Sequence, residues 1–358
     1  MTYHQLKSQE EYDEWDTFVQ KSTKGHFAQL STYLKSFTAY GANFMIIMAK
    51  EKEIQGGVGL LVFGKGPFKL VSLPMGPVIK EGSEKILYDL INEALQYAKS
   101  IKAFLFQMQI PYSQQTNHPS IYSSIKLPET SLLNEGFPFK VGSIVNQFFV
   151  ISLDIEPTHE TWEESILMTF DAKTRRNIRT AEKNNLSLRE AITQEEIKEA
   201  YALMIENGIT QGYATRSWEE FGATILEQVK KKQAIFTTVF KDEKLLGAHY
   251  GITSGNNYTY IMGATRRIEK DYKIGHFLHW SIIKKAKALG LKRYDFSSTG
   301  SPGVYKFKLG FKPTQYIFNT PYYYVLSKGK FKVFQHLFPI LKQHKKNLAK
   351  LIGLFMKR

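Results

Sequence analysis

An internal repeat constrains the fold of this 358-residue chain more than any other feature of its sequence. A β-hairpin with a charged turn is predicted twice, by KEKEIQGGVGLLVF at 50–63 and by KDEKLLGAHYGI at 241–252. About 190 residues also separate two predicted amphipathic helices that lead into buried strands, at 86–110 and 277–298. Both halves share the order helix, hairpin, strand, helix, strand. The repeat therefore predicts two copies of one mixed α/β unit rather than one large sheet.

The connecting segments suggest where these units begin and end. A loop-like stretch rich in Ser, Pro and Thr occupies 111–129, and the strand NQFFVISLDI at 146–155 opens the second half. After about Ser327 the pattern changes to apolar residues at helical spacing among lysines. We predict a first domain over 1–145, a second domain over 146–328 and a C-terminal basic amphipathic helix over 329–358.

Composition excludes several kinds of functional site. The chain has no cysteine, so disulfides, thiolate metal sites and a cysteine nucleophile are excluded. It has no Walker loop, no GxGxxG after a strand, no GxSxG elbow and no HExxH motif. His276 and His279 lie three residues apart on a predicted helix without a carboxylate companion, which favours packing or a surface position over metal binding. We expect no metal and no resident cofactor.

The net charge of +15 is unevenly distributed. From Phe296 to the C-terminus the chain has twelve Lys or Arg residues and no Asp or Glu, which favours anionic partners such as nucleic acid, diphosphates or a lipid surface. The N-terminus is polar, unlike a signal peptide, and no apolar run reaches the roughly 20 residues of a membrane span. We expect a cytoplasmic protein. Its helix 329–358 either contacts the inner face of the plasma membrane, the interpretation we favour, or packs on the second domain.

One predicted helix concentrates positive charge. DAKTRRNIRTAEKNN at 171–185 has Asp171 as its expected N-cap and Asn184 and Asn185 as its expected stop. The density of cations over about three turns favours contact with a polyanion. These cations are Lys173, Arg175, Arg176, Arg179 and Lys183.

Other cations stand where elements are predicted to start or end. TKGHFAQLSTYLKSF at 23–37 places Lys35 on the predicted first helix of the first unit, and Arg216 lies in a loop just before a helix. A cation near a helix N-terminus can bind phosphate together with free backbone N–H groups. In YDFSSTGSPGVYKFKLGFKP, a strand and a turn precede lysines that alternate with aromatics, which indicates a second strand holding Lys306 and Lys308.

Six segments of the sequence, and the order in which they occur, resemble the Fem (FemABX) peptidyltransferase family. The resemblance runs from about residue 20 to 325 and implies two tandem domains of the GNAT acyltransferase fold. It also implies transfer of an amino acid from aminoacyl-tRNA to an amino group of a nucleotide- or lipid-linked peptidoglycan precursor, which builds the interpeptide bridge. The segments are GHFAQLSTYLKSF, TRRNIRTAEKNNLSL, GYATRSWEEF, GAHYGI, GATRRIEKDYKIGHFLHWSIIKKAKALGLKRYDFSSTG and GVYKFKLGFKP.

The resemblance also assigns roles to individual residues. Lys35 and Arg216 match residues that hold the diphosphate of the precursor. Lys308 matches a lysine near the reacting ester, and its neighbour Lys306 is the second candidate. With an aminoacyl-tRNA donor, the basic residues of the helix at 173–183, with help from Arg266 and Arg267, are expected from their charge to steer the tRNA acceptor end through its phosphates. Two tyrosines lie in segments that flank the substrate channel, Tyr213 and Tyr258.

Two alternatives stay open at this point. One is an acyl-CoA-dependent N-acyltransferase of the GNAT superfamily that acts on a cell-envelope substrate. The segment RRIEKDYKIGHF has arginines and Gly275 but not the full pyrophosphate loop of that chemistry. The other is a non-catalytic protein that binds tRNA or the envelope. The sequence leaves open the amino acid transferred, the acceptor and the oligomeric state.

Overall fold

The computed structural model describes residues 1–110, 126–136, 138–139, 147–266, 268–297, 300–317 and 321–343. The first half contains β1 (Thr2–Gln5), α1 (Gln9–Lys21), α2 (Ser31–Lys35), β2 (Asn43–Lys50), β3 (Ile54–Phe63), β4 (Leu70–Leu73), β5 (Val78–Ile79), α3 (Leu87–Ser100), β6 (Leu105–Met108) and β7 (Leu133–Glu135).

The second half has more helices. It contains β8 (Gln147–Ser152), α4 (Trp162–Thr169), α5 (Ala172–Glu182), β9 (Ser187–Glu190), α6 (Gln194–Gln211), α7 (Trp218–Lys230), β10 (Ala234–Lys241), β11 (Lys244–Ser254), β12 (Asn257–Thr265), α8 (Ile274–Ala288), β13 (Arg293–Asp295), α9 (Pro302–Gly310) and β14 (Thr314–Ile317). Two further elements follow, β15 (Tyr322–Val325) and α10 (Lys328–Gln343).

The two sheets have the same strand order. The first runs β1-β2-β3-β4-β6-β15-β7, with β5 paired to β3, and the second runs β9-β10-β11-β12-β13-β8-β14. In each sheet a hairpin predicted from sequence, β2–β3 or β10–β11, lies beside a parallel pair, β4–β6 or β12–β13. Helices α3 and α8 connect the strands of these parallel pairs. The prediction of two copies of one mixed α/β unit is confirmed.

Local sequence explains why equivalent helices begin where they do. Helices α1 and α6 hold the same place in the two copies, and each starts at a capping box, as does α7. In a capping box the N-cap hydroxyl accepts a backbone N–H and a glutamate three residues on accepts the N-cap N–H. The pairs are Ser8 with Glu11, Thr193 with Glu196, and Ser217 with Glu220.

One strand connects the end of the chain to the first sheet. β15 lies antiparallel between β6 and β7, the place that β8 takes beside β13 in the second sheet. Tyr324 of β15 is fully buried, stacks on Phe106 and donates a hydrogen bond of 2.7 Å to the carbonyl of Pro128. The first sheet therefore needs a strand from beyond residue 320, while the predicted boundaries at 145 and 328 stay predictions.

The segment with alternating lysines and aromatics is a helix, so the predicted strand is wrong. Ser301 caps α9 through its hydroxyl, and Pro302 occupies the first turn, where its fixed φ suits a helix. Residues two apart on a helix point about 200° away from each other. Lys306 is accordingly exposed, whereas Lys308 is buried.

Two other expectations about helices need correction. Lys35 ends the second helix, α2, and not the first. In α10, Phe334 and Phe338 pack on Phe139 of the first half, with ring centroids 4.7 and 4.8 Å away, so its described part does not close the second domain. The rest of the predicted C-terminal helix, 344–358, and Arg267 lie outside the described residues. None of the helices in the described ranges combines the length and apolar character needed to cross a membrane.

Candidate active site

The parallel strands of the second sheet separate at their carboxyl ends. β12 pairs with β13 from Asn257 opposite Arg293 to Thr259 opposite Asp295, and β12 then continues to Thr265 beyond the end of β13. The ladder between β11 and β12 also shifts register beside this point, next to Tyr260. The crevice outside the carboxyl ends of parallel strands is a common ligand site, and bulges often lie next to such sites.

Lys308 of α9 is buried beside this opening. Its side chain is 4% exposed, and its Nζ lies 5.8 Å from the ring centroid of Phe149 and 6.0 Å from that of Tyr260. Burial lowers the pKa of the Lys308 amine to about 8, although the carboxylate of Asp295 acts in the opposite direction. The amine is therefore mainly protonated at neutral pH, yet held in an apolar, aromatic surrounding.

Asp295, the last residue of β13, was not identified from the sequence. It is 6% exposed, and the backbone N–H of Ser297 donates to its Oδ1 at 2.7 Å. Burial raises the pKa of Asp295 to about 7, against the opposing effects of that N–H and of Lys308. Its position as the only acidic residue in the predicted strand RYDF, directly before a turn, was a signal that could have found it.

Arg216 lies at the junction between the two halves. Its guanidinium carbon is 4.6 Å from the ring centroid of Phe221 and 4.9 Å from those of Phe37 and Tyr40. Its Nη1 donates to the hydroxyl of Ser36 at 2.9 Å. The loop before α7 thus carries Arg216 to the end of α2, as a cation surrounded by aromatic rings.

Lys35 is the residue before Ser36, so the structure brings both predicted phosphate-binding cations to the contact between α2 and α7. Its side chain is 56% exposed, and its Nζ lies 3.7 Å from Oε2 of Glu227. Glu227 also pairs with Lys231 at 3.1 Å. Lys35 can therefore exchange a loose ion pair for another anion.

The two tyrosines predicted beside the substrate channel lie in different surroundings. Tyr213 is 51% exposed, and its hydroxyl accepts a hydrogen bond of 2.7 Å from Asn207. Tyr258 is fully buried and stacks on Tyr294 with ring centroids 5.6 Å apart. Tyr258 therefore belongs to the core beneath the opening, and only Tyr213 is accessible.

The helix predicted to bind tRNA begins at its predicted N-cap, because Asp171 Oδ1 accepts the N–H of Thr174 at 2.6 Å. Arg175 differs from the other four cations, since its Nη1 donates to the carbonyl of Phe170 at 2.5 Å. Arg179 forms an ion pair of 3.2 Å with Glu164. The exposed members of the set are Lys173, Arg176, Arg179 and Lys183.

The two histidines of α8 are packed, as the sequence indicated. His279 Nδ1 lies 2.6 Å from the hydroxyl of Tyr294, and His276 Nε2 lies 3.2 Å from the amide of Asn177. Across the part of the chain that the structure describes, no group of three or more His, Cys, Asp or Glu side chains could hold a metal ion.

Comparisons with known proteins identify the family. The profile of the FemAB family matches residues 9–221, more than half of the chain. The chain belongs to the FemAB family. A profile described as an acetyltransferase (GNAT) domain matches residues 171–309, the region that carries Asp295 and Lys308. This FemAB member is thus an acyltransferase, and at the level of the family its activity is aminoacyl transfer in peptidoglycan bridge formation.

Solved structures support the same fold for the FemAB chain. The crystal structure of FemX is similar, with a TM-score of 0.77 at 16% identity, and the match covers 93% of this chain and 100% of that one. L-PGS from Bacillus licheniformis matches with a TM-score of 0.57 at 11% identity, covering 92% and 96%. The C-terminal domain of a putative lysylphosphatidylglycerol synthetase from Agrobacterium fabrum gives 0.55 at 12%, covering 93% and 98%. Among curated proteins, no relative matches the chain.

Proposed function

We propose that this FemAB protein transfers an amino acid from aminoacyl-tRNA to an amino group of a peptidoglycan precursor, without a resident cofactor. The observation that carries the proposal is Lys308, an amine buried at the opening between β12 and β13 with Asp295 beside it. A buried cation at the carboxyl ends of parallel strands suits a reaction in which a carbonyl oxygen becomes negative.

Aminolysis of an ester requires mainly orientation. The neutral amine of the acceptor must be held about 3 Å from the ester carbonyl carbon, which binding at two substrate sites can achieve. The tetrahedral intermediate carries a negative oxygen, and a fixed cation there contributes about 2–4 kcal/mol. We assign this stabilising role to Lys308. Lys306 is a weaker candidate because it is exposed on another side of α9.

For the acceptor, we propose that Lys35 and Arg216 hold the diphosphate of the precursor. A guanidinium and an ammonium together neutralise such a group, and the planar guanidinium can bind two of its oxygens. Tyr213, which follows the C-cap of α6, is available to contact the precursor because half of its side chain is exposed. Tyr258 supports the floor of the site and is not proposed to contact the precursor, since it is fully buried.

For the donor, we propose that the exposed cations of α5 bind phosphates of the tRNA acceptor end. Binding through phosphates releases counterions from the nucleic acid, so its affinity falls as the salt concentration rises. Arg175 is excluded from this set because it holds the carbonyl of Phe170. If tRNA binding did not respond to salt, the assignment of α5 would be wrong.

We also propose that α10 contacts an anionic membrane surface. Phe331, Phe334 and Phe338 face the first half, whereas Val333 and Leu337 are 47% and 46% exposed. Exposed apolar side chains on a basic helix suit the interface of a bilayer. Replacing Leu337 by Asp should reduce flotation with anionic liposomes without removing the packed phenylalanines, and unchanged flotation would defeat the idea.

The experiment that tests the whole proposal compares donors. The protein is incubated with a lipid- or nucleotide-linked peptidoglycan precursor and either labelled aminoacyl-tRNA or labelled acyl-CoA. Label should reach the precursor from aminoacyl-tRNA, and Lys308→Met should reduce the single-turnover rate while Lys306→Met does not. Transfer from acyl-CoA alone would refute the proposed donor, and transfer from neither would refute the enzymatic role.

A further inference from the structure

Four polar rings form a buried hydrogen-bonded chain beneath the opening. The hydroxyl of Tyr258 lies 3.4 Å from His249 Nδ1, and His249 Nε2 lies 3.2 Å from the hydroxyl of Tyr294. That hydroxyl lies 2.6 Å from His279 Nδ1. The four residues come from β12, β11, β13 and α8 and are at most 8% exposed. Buried polar side chains that are hydrogen-bonded in series favour one arrangement of protons as well as one packing.

His279 ends this chain at the point where the two strands separate. Its ring centroid is 5.0 Å from that of Tyr260, the first residue of β12 beyond the last pair with β13. It is also 5.0 Å from Phe296, the first residue after β13. The Nζ of Lys308 lies 6.0 Å from the same Tyr260 ring. His279 and Lys308 therefore flank one aromatic ring at the opening.

The hydrogen bonds favour one tautomer of His279. If Tyr258 donates to His249 Nδ1, then His249 donates from Nε2 to Tyr294, and Tyr294 donates to His279 Nδ1. The proton of His279 is then on Nε2. The reverse order would leave the hydroxyl proton of the fully buried Tyr258 without an acceptor among the described residues, which is costly.

His279 stays neutral in this position. Burial lowers the pKa of its imidazole well below the ordinary value, and the neighbouring His249, Lys308 and His276 lower it further. Among the residues that the structure describes, Nε2 has no hydrogen-bond partner. A neutral imidazole with its proton on an unpaired Nε2 can donate a hydrogen bond from that atom.

We propose that the Nε2–H of His279 donates a hydrogen bond to the acyl carbonyl oxygen as it becomes negative, and that Tyr294 and His249 fix the tautomer that carries this proton. In this step the acceptor nitrogen forms a bond to the carbonyl carbon and the bond from that carbon to the leaving oxygen breaks. The proton lost by the amine ends on the leaving oxygen, while His279 keeps its own proton. The step as written rests on the proposed aminoacyl-tRNA donor for its leaving oxygen; with an acyl-CoA donor the leaving atom would be sulfur, and the hydrogen bond from His279 to the carbonyl oxygen would be the same.

Rate measurements test this role. His279→Leu should lower kcat by about 10²- to 10³-fold with little change in KM, because the lost interaction exists only in the transition state. His279→Gln, which retains an N–H donor, should recover part of the rate. A folded His279→Leu protein with kcat within threefold of wild type would overturn the proposal.

Histidine-selective ¹⁵N NMR of the full chain tests the tautomer without any substrate, so it is independent of the proposed function. The His279 signals, assigned by their loss in His279→Gln, should show a proton on Nε2; a proton on Nδ1 would overturn the proposal. Tyr294→Phe removes only the hydroxyl and should both mix the tautomers and lower kcat, and a Tyr294→Phe protein unchanged in both also contradicts it. The matched control, Tyr324→Phe in the first half, should change neither.

Discussion

Replacing Lys308 by Met should abolish most of the transfer activity and yet make the protein more stable at pH 7. The side chain is 4% exposed, and its burial lowers the amine pKa from the ordinary 10.5 to about 8. Because each unit of pKa shift corresponds to about 1.4 kcal/mol, keeping the Lys308 amine charged in the folded protein costs about 3 kcal/mol. Met has a similar length and no charge, so it should recover part of this cost.

The sign of the effect follows from proton linkage. At pH 7 the amine of Lys308 is protonated in both the folded and the unfolded chain, so the full cost is present. Between about pH 8 and 10.5 the unfolded chain binds more protons, so the stability contribution of Lys308 improves as pH rises. The unfolding free energy of Lys308→Met should therefore exceed that of the wild type by about 1–3 kcal/mol at pH 7, and this difference should shrink as the pH rises from about 8 to 10.5.

Urea denaturation of both proteins at pH 7 and at pH 10 measures this difference. Lys306→Met is the matched control, because Lys306 lies on the same helix but is exposed, and its unfolding free energy should change by no more than about 0.5 kcal/mol. A Lys308→Met protein that is less stable than wild type at pH 7 would refute the reasoning. So would an equal gain in stability from Lys306→Met.

Three further predictions follow from the same geometry. Asp295→Asn removes the charge that raises the pKa of Lys308, so the alkaline limb of the pH profile of kcat should move to lower pH. An unmoved limb would contradict an electrostatic interaction between Asp295 and Lys308. Replacing one exposed cation of α5 by Ala should reduce the steepness of log K for tRNA binding against log salt concentration by about 0.7 to 0.9. Arg175→Ala should instead lower the melting temperature and leave this slope unchanged. Glu227→Gln frees Lys35 and should raise pyrophosphate affinity by up to about fivefold, measured by calorimetry, with no gain in Lys35→Ala/Glu227→Gln.

The sequence predicted the repeated architecture because local patterns determine it. The hairpins at β2–β3 and β10–β11 follow from charged turns between apolar strands, and the N-cap of α5 follows from Asp171 before the helix. These features depend on residues that are close to each other in the sequence. The same reasoning failed for α9, because lysines alternating with aromatics fit the period of a strand, while Ser301 and Pro302 start a helix.

The electrostatics of the site could not be predicted in this way. The pKa shifts of Asp295 and His279 arise from burial by distant segments, which meet only when β12, β13, α8 and α9 assemble. Nothing in the local sequence distinguishes the buried Lys308 from the exposed Lys306. The docking of α10 on the first half likewise depends on Phe139, which lies almost 200 residues earlier.

Within the described residues, the strands that separate in the second sheet stay joined at the equivalent place in the first. Beyond the last ladder pair of β4 and β6, the N–H of Gln109 still donates to the carbonyl of Leu73 at 2.9 Å, and the N–H of Gly76 donates to the carbonyl of Gln109 at 3.1 Å. The buried amide of Gln29 binds the carbonyls of Pro74 and Gly59 and so holds the segment after β4 against β3. The place where the second copy separates its strands is therefore closed in the first. On the function proposed above, acyl transfer would take place in the second copy, while the first copy would contribute Lys35 of α2 to the acceptor site at the contact with the Arg216 loop.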